Sequence, residues 1–205
     1  MIRALIIDLD NTIYPVSSIA DVLFDRLYQH LDDSGEDISA QAKHEITRKP
    51  FQWVAEKFGF SDKLTRNSLH LLRHLTYDKP MTPFEDYRHI KNIKIDKFLV
   101  TTGFSKLQWS KIKMLGIEGD FKAIQIVDPD VSPRTKKHIF EELLQQYHYS
   151  NEDVLVVGDD PDSEIAAARA LKIRTVLYDP AKRYPAGIAD YHVTDHSEIE
   201  ELLLV

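Results

Sequence analysis

The sequence of 205 residues contains no cysteine. Disulfide bonds, thiolate metal sites and a cysteine nucleophile are therefore excluded, and a reducing compartment is compatible with this composition. An apolar run long enough to span a bilayer is also missing, and residues 1–7 lead directly into a strand pattern. We therefore expect no signal peptide, no membrane contact and a cytoplasmic location.

The chain also lacks an excess of basic residues. It carries 26 Lys and Arg against 33 Asp and Glu, which gives a formal net charge of -7. Proteins that bind nucleic-acid polymers usually need a basic surface that displaces counterions, so we do not expect this function. A small phosphorylated substrate stays compatible, because a metal ion and a few local cations can reverse the field inside one pocket.

Short apolar runs that end in polar residues predict buried β-strands. These runs cover residues 4–7, 97–101, 123–127, 153–157 and 174–178. Helical patterns at residues 106–115, 134–147, 162–171 and 197–204 alternate with the later runs. This alternation predicts an α/β fold with a Rossmann-like three-layer core built on a parallel sheet.

A much longer segment separates the first two predicted strands. It contains no convincing strand pattern, and its helical patterns cover residues 20–31, 39–48, 51–58 and 62–75. Because a crossover needs only one helix, we predict an inserted helical cap at residues 15–93 and a core formed by residues 1–14 and 94–205. Pro15, Pro80 and Pro83 lie near the two junctions, where hinges are expected.

Polar residues follow the predicted strands at their carboxyl ends, where open parallel sheets bind their ligands. The set comprises Asp8 and Asp10 after the first strand, Thr101 and Thr102 after the second, Asp159 and Asp160 after the fourth, and Lys136 and Lys137 in the helix after the third. We therefore expect carboxylates, hydroxyls and an ammonium group at one edge of the sheet.

Such a set suits phosphoryl chemistry. Converging carboxylates repel one another unless a cation lies between them, and hard oxygen ligands favour Mg²⁺. One carboxylate can attack phosphorus and form an aspartyl-phosphate, while a second protonates the leaving oxygen and later deprotonates a water molecule. A hydroxyl, backbone amides and a lysine can hold the remaining phosphoryl oxygens.

The order of these motifs resembles that of the haloacid dehalogenase superfamily. Asp8 to Thr12 form Asp-x-Asp-x-Thr, Thr101 ends the second strand, and Gly158-Asp159-Asp160 follows the lysine motif. The resemblance implies a magnesium-dependent phosphomonoester hydrolase that acts on a small phosphorylated metabolite, such as a nucleotide or sugar phosphate. The position of the insert is similar to that of a helical type-1 cap, and the segment from Asp8 to Pro15 is similar to pyrimidine nucleotidase-like members.

The resemblance also implies residue roles. Asp8 is the nucleophile and a metal ligand, and Asp10 is the general acid/base whose backbone carbonyl binds the metal. The remaining implied roles are phosphoryl binding by Thr101 and Thr102, support of Asp8 and the phosphate by Lys136, and metal binding by Asp159. Asp10 favours phosphate chemistry, since the dehalogenating members lack this second aspartate.

Two assignments stay open. The segment around Lys136 departs from the Lys-Pro-x-Pro of many relatives, so Arg134 or Lys137 can replace Lys136 as the motif cation. The distal acid of the last motif corresponds to Glu164, and Asp160 is an adjacent alternative that can support the metal.

Several neighbouring residues have two interpretations. Tyr14 follows the nucleophile loop and is a candidate for substrate contact, while Phe51 and Trp53 either line a substrate pocket or form the core of the cap. Asp162 and Ser163 are assigned to helix capping. Two other functions also fit the motifs: a phosphomutase or phosphotransferase of the same superfamily, and a non-enzymatic binding module switched by phosphate.

Overall fold

The computed structural model describes residues 1–203, and its centre is one parallel β-sheet. The strands are β1 Ala4–Ile7, β2 Asp96–Thr102, β3 Ala123–Val127, β4 Val154–Gly158, β5 Arg174–Tyr178 and β6 Tyr191–Val193. Their order is β3-β2-β1-β4-β5-β6, and every neighbouring pair is parallel. The predicted α/β class and parallel sheet are confirmed.

The helices fall into two groups along the chain. Those between β1 and β2 are α1 Ala20–Asp32, α2 Ala40–Ile46, α3 Phe51–Phe58, α4 Asp62–His74 and α5 Tyr87–Asn92. Those after β2 are α6 Ser105–Leu115, α7 Lys136–Tyr147, α8 Ala166–Ala170 and α9 Ser197–Leu202. A π-helical turn, Pro161–Ile165, leads into α8. The predicted end of the last helix at Leu204 lies outside the described residues.

The central strands are buried on both faces, as their uninterrupted apolar runs predict. In β1, Leu5 and Ile7 belong to one apolar cluster, and Ala4 and Ile6 belong to another on the opposite face of the sheet. Phe140 of α7 packs in the second cluster. Helices therefore cover both faces, which gives the three layers expected from the sequence.

Two short elements were not predicted. β6 has three residues, of which only Val193 is fully buried, and α5 has six residues. Both are too short to show a periodic pattern. Tertiary contacts hold them instead, because β6 pairs with β5 and α5 packs on α9.

The contacts of α5 bear on the division into domains. The backbone N–H of Phe84 donates to the carbonyl of Ile13 at 2.8 Å, and the Tyr87 hydroxyl donates to Asp120 at 3.1 Å. Residues 84–92 thus lie against the core. We therefore propose that the second cap junction lies at residues 80–83, not at 93.

In the described part of the chain, no helix is long and apolar enough to cross a membrane.

A buried cluster joins α5 to α9. Asp86 accepts hydrogen bonds from the backbone N–H of His196 at 2.9 Å and from the Tyr178 hydroxyl at 3.0 Å. The His196 ring stacks on the Tyr178 ring, with 4.0 Å between centroids. Although burial opposes the shift, the hydrogen bonds from His196 and Tyr178 lower the pKa of Asp86 to about 2.

Replacement of Asp86 by Ala is expected to lower the free energy of unfolding by about 1–3 kcal/mol, because two buried donors lose their acceptor. Urea unfolding at neutral pH measures this loss. Because the folded-state pKa is depressed, the wild-type advantage is present above about pH 4 and disappears as the pH falls towards 2. Glu85→Ala is the matched control, since the Glu85 side chain is 95% exposed. Equal midpoints for Asp86→Ala and wild type at neutral pH would contradict the prediction.

Candidate active site

Asp8 lies at the centre of the sheet, at the carboxyl end of β1 between β2 and β4. Its backbone N–H donates to the carbonyl of Val157 at 3.0 Å, which extends the hydrogen-bonded ladder one residue beyond β1. The Asp8 side chain is buried. The sheet itself therefore determines where this carboxylate lies.

Three carboxylates converge at this edge. Asp8, Asp159 and Glu164 are buried and have oxygen atoms within 4.8 Å of one another. The Lys136 ammonium lies 2.6 Å from Oδ1 of Asp8 and 2.6 Å from Oε2 of Glu164. Segments that are far apart in the sequence thus form one cluster of three carboxylates and one ammonium group.

The path of the chain after β4 delivers Glu164 to this cluster. Glu164 lies in the π-helical turn, and its Oε1 accepts the backbone N–H of Asp160 at 2.7 Å. A Cβ atom at Gly158 would lie only 2.1 Å from that oxygen. The absence of a side chain at Gly158 is therefore required for Glu164 to fold back beside Asp159. π-Turns of this kind are frequent at functional sites.

The three cations considered for the lysine motif have different surroundings. Lys136 is buried and contacts Asp8. Arg134 instead forms an exposed ion pair with Glu142, and the Lys137 side chain is 46% exposed. The structure thus places Lys136, and neither neighbour, at the carboxylate cluster.

Burial and charge shift several pKa values in the cluster. Burial raises the pKa of Asp8 well above its usual value, Lys136 opposes this shift, and Glu164 adds to it. Burial and Glu164 raise the pKa of Asp159 to about 7, although Arg183 opposes the shift. Burial alone would lower the pKa of Lys136, but Asp8 and Glu164 raise it above its usual value, so Lys136 keeps its proton. Three ionised carboxylates would therefore exceed the charge of the buried ammonium, and the raised pKa values of Asp8 and Asp159 reflect this excess.

Arg183 approaches the cluster from the segment after β5. Its guanidinium donates to Asp159 at 3.3 Å and to Asp179 at 3.1 Å. Asp179 is fully buried and also accepts the backbone N–H of Tyr184 at 3.0 Å. This connection was not predicted from the sequence. Its signal was the position of Asp179 directly after a strand, as for Asp8 and Asp159.

Asp10 faces a different side of the site. Its carboxylate accepts hydrogen bonds from Lys111 at 2.9 Å, from Gln108 at 2.9 Å and from the Tyr14 hydroxyl. Although burial alone would raise the pKa of Asp10, Lys111 and the hydrogen bonds hold it below its usual value. Tyr14 is fully buried against Asp10 and does not line the cavity. The predicted substrate contact of Tyr14 is therefore corrected to a contact with Asp10.

Gln108 also reaches the predicted phosphoryl-binding residues. Its amide nitrogen lies 2.6 Å from Oγ1 of Thr101 and 3.4 Å from the carbonyl oxygen of Thr102. Neither Gln108 nor Lys111 was predicted from the sequence as a site residue. The available signal was weak, since a glutamine and a lysine within an amphipathic helix usually face solvent.

Asp160 performs the capping that was predicted for Asp162 and Ser163. One of its carboxylate oxygens accepts the backbone N–H of Asp162 at 2.9 Å, and the other accepts Lys49 at 2.8 Å. The two carboxylate oxygens of Asp160 are thus occupied by a helix end and a cap lysine. Of the two alternative distal acids, Glu164 is the one that joins the metal-ligand geometry.

A cavity of about 810 Å³ lies between the core and the cap. The core contributes Asp8, Asp10, Thr101, Thr102, Lys136 and Asp159 to its wall. The cap contributes Arg48, Lys49, Phe51, Gln52 and Trp53. Arg48 donates to the Tyr184 hydroxyl at 3.3 Å, and Lys49 contacts Asp160, so two cap cations bridge to the core beside the cavity. Phe51 is buried, as expected of the cap core, whereas Trp53 is 42% exposed. Both also line the cavity, so each of the two interpretations of these aromatic residues applies in part.

The donor set fits a hard divalent cation. Asp8, Asp159 and Glu164 offer buried carboxylate oxygens, and magnesium prefers such ligands. A divalent cation would also offset the excess negative charge of the cluster. The Asp10 side chain lies outside this group, so a metal contact by Asp10 rests on its backbone carbonyl, as the sequence analysis expects.

Comparisons with known proteins find hydrolases and phosphatases among the relatives of this chain. A family model of haloacid dehalogenase-like hydrolases matches residues 2–172. Enolase-phosphatase E1 of Sulfurihydrogenibium sp. (strain YO3AOP1) is 23% identical over 198 residues, with 83% of this chain and 85% of that protein covered. The glyceraldehyde 3-phosphate phosphatase of Methanopyrus kandleri is 23% identical over 196 residues, with 86% and 83% covered.

A solved structure shares the fold. The haloacid dehalogenase-like family hydrolase from Streptococcus pneumoniae superimposes with a TM-score of 0.75 at 16% identity, and 98% of each chain is covered. Because the family model spans most of the sequence, the chain belongs to the haloacid dehalogenase-like hydrolases. The family predicted from the motifs is confirmed, and the protein is a hydrolase.

Replacement of Lys136 by Met is expected to lower the free energy of unfolding by about 3–5 kcal/mol, because two buried carboxylates lose their cation. Chemical denaturation without added metal measures this loss. Lys137→Met is the matched control on the next residue and should change stability by less than about 0.5 kcal/mol. A similar, small loss for both variants would show that the Lys136 contacts contribute little.

Proposed function

We propose that the protein is a magnesium-dependent phosphomonoester hydrolase that forms an aspartyl-phosphate on Asp8. The observation that carries this proposal is the contact of Asp8 with Lys136 beside Asp159 and Glu164 at the carboxyl edge of the sheet. The family assignment supports hydrolysis, and the phosphatase names of both curated relatives support a phosphate ester as the substrate.

The first step is transfer of the phosphoryl group to the enzyme. A carboxylate oxygen of Asp8 attacks phosphorus, and the bond between phosphorus and the leaving oxygen breaks. The protonated form of Asp10 gives a proton to that oxygen, so the product leaves as a neutral alcohol. Lys111 and the hydrogen bonds, which hold the pKa of Asp10 below its usual value, favour the ionised form that the second step needs. Asp10 lines the same cavity as Asp8, which is the arrangement that this proton transfer needs.

The second step is hydrolysis of the aspartyl-phosphate. Asp10, now ionised, takes a proton from a water molecule whose oxygen attacks phosphorus. The bond between phosphorus and the Asp8 oxygen breaks, and inorganic phosphate and the Asp8 carboxylate are regenerated. The proton count closes, because Asp10 gives one proton in the first step and regains one in the second.

The surrounding groups bind and orient the phosphoryl group. Thr101 and Thr102 line the cavity at the end of β2, and Lys136 supplies a fixed positive charge beside Asp8. Asp8, Asp159 and the Asp10 carbonyl would hold the metal, with Glu164 in the same cluster. When bound, magnesium would neutralise phosphoryl charge.

The cap determines which leaving group fits. A cavity of about 810 Å³ lies in the range of sites for ligands as large as nucleotides or sugar phosphates. Arg48, Lys49 and Gln52 offer polar contacts, while Phe51 and Trp53 offer aromatic surface. The enolase-phosphatase and the glyceraldehyde 3-phosphate phosphatase are named after different substrates, so we assign neither substrate to this chain. A cytoplasmic location and the absence of a nucleic-acid partner also stay predictions from composition.

Replacement of Asp8 by Asn is expected to abolish magnesium-dependent phosphate release from an aryl phosphate, because the amide cannot act as the nucleophile. The measurement is inorganic phosphate released per enzyme under saturating substrate. Asp162→Asn serves as the control, since the Asp162 side chain is 88% exposed and carries no proposed role. Turnover by Asp8→Asn at the wild-type rate would remove Asp8 as the nucleophile.

Magnesium is expected to stabilise the folded protein against thermal unfolding. At a concentration of about 100 times its Kd, a ligand that binds only the folded state adds about 2.7 kcal/mol of stability. Asp159→Asn should lose most of this gain, because it removes a charged ligand from the cluster, while Asp162→Asn should keep it. An equal gain in both variants, measured by calorimetry with and without the metal, would place the ion elsewhere.

A further inference from the structure

Helix α6 carries two buried polar side chains that face the acid/base residue. Gln108 is 1% exposed and Lys111 is 4% exposed, although both belong to residue types that usually face solvent. Lys111 contacts both carboxylate oxygens of Asp10, at 2.9 and 3.2 Å. Gln108 contacts one of them at 2.9 Å. The proposed mechanism assigns no step to either residue.

Gln108 connects two parts of the site through one nitrogen atom. Its amide lies 2.9 Å from Asp10 and 2.6 Å from the Thr101 hydroxyl. This side chain therefore connects the acid/base group directly to the predicted phosphoryl ligand. Asp10 lies in the loop after β1 and Thr101 lies in β2, so Gln108 adds a side-chain connection to the pairing of these two strands.

The start of α6 is built to hold Gln108 in place. Gly103 has φ of +151°, and a Cβ atom there would lie 3.1 Å from Cδ of Gln108. Glycine thus lets the loop pass close to the glutamine. Both the backbone N–H and the hydroxyl of Ser105 donate to Asp128 at 2.8 Å, which fixes the first turn of α6 to the end of β3.

We propose that Lys111 and Gln108 are positioning residues that hold the Asp10 carboxylate and the Thr101 hydroxyl in one arrangement for phosphoryl transfer. This inference rests on the proposed function. Lys111 fixes both oxygens of Asp10, and Gln108 sets its distance from Thr101. Both residues line the cavity, but their contacts at the site are with Asp10 and Thr101, so we assign their effect to these two groups.

The burial of Lys111 and Gln108 beside Asp10 costs desolvation free energy, and a gain in stability alone does not explain it. Burial of an ion pair next to a cavity requires removal of both charges from water, and an apolar pair of similar volume is often as stable. A buried lysine and glutamine that converge on a single carboxylate therefore indicate selection for geometry. Misplacement of a catalytic group by about 1 Å can cost about 100-fold in rate.

A kinetic double-mutant cycle tests the proposal. Asp10→Asn should lower kcat by about 10²–10⁴-fold, and Lys111→Met should lower it by about 10-fold or more with little change in KM. In the Asp10→Asn background, Lys111→Met should cost less than about 3-fold, because its effect passes through Asp10. Lys111→Arg, which keeps the charge, should recover part of kcat.

Matched variants separate positioning from folding. Lys113→Met lies on the exposed side of α6 and should leave kcat unchanged. Gln108→Leu removes no charge and should show the same non-additivity with Asp10→Asn, so the test does not depend on the folding of Lys111→Met.

Three outcomes decide the question. Non-additive losses confirm the positioning role. Additive losses, or a normal kcat for Lys111→Met, would overturn the positioning role. The proposed function would still stand in that case if the wild type is active and Asp10→Asn is impaired. A folded wild type without phosphatase activity on any phosphate ester would overturn the proposed function and this role with it.

Discussion

The contact of the Lys136 ammonium with Asp8 and Glu164 is the interaction on which the site depends. It joins the end of β1, the start of α7 and the turn after β4. Without this cation, three buried carboxylates would repel one another at one point. Three ionised carboxylates exceed the charge of this ammonium, so the cluster suits a divalent ion, and that ion would in turn attract a negatively charged substrate.

The sequence predicted the sheet well because its signals are local. Runs such as Ala4–Ile7 and Val154–Gly158 are buried on both faces, so their apolar character needs no partner to be recognised. Asp8, Thr101 and Asp159 could be predicted as neighbours because parallel strands end at one edge. Lys136 could not be separated from Arg134 and Lys137 by sequence, since burial of one of three adjacent cations depends on how α7 begins.

Other features depend on contacts between distant segments. Gln108 and Lys111 look like ordinary helix surface until α6 packs beside Asp10. Glu164 was predicted as a candidate acid, but the choice between it and Asp160 depends on the π-turn that brings Glu164 past Gly158. α5 forms because it packs on α9, and β6 forms because it pairs with β5. The residues of these two short elements do not by themselves predict either contact. Tertiary packing, not composition, decides all of these positions.

The central place of β1 in the strand order has a consequence for the dynamics of the enzyme. A middle strand has neighbours on both sides, so its amides should exchange with solvent only through global unfolding. The cap packs on the core through apolar residues and also through exposed ion pairs such as Arg73 with Asp130 at 2.7 Å, where Arg73 is 45% exposed and open to screening by salt. The Asp8 carboxylate thus follows a strand that is expected to exchange slowly, while the cap wall that faces it has ion pairs whose strength is expected to fall as ionic strength rises.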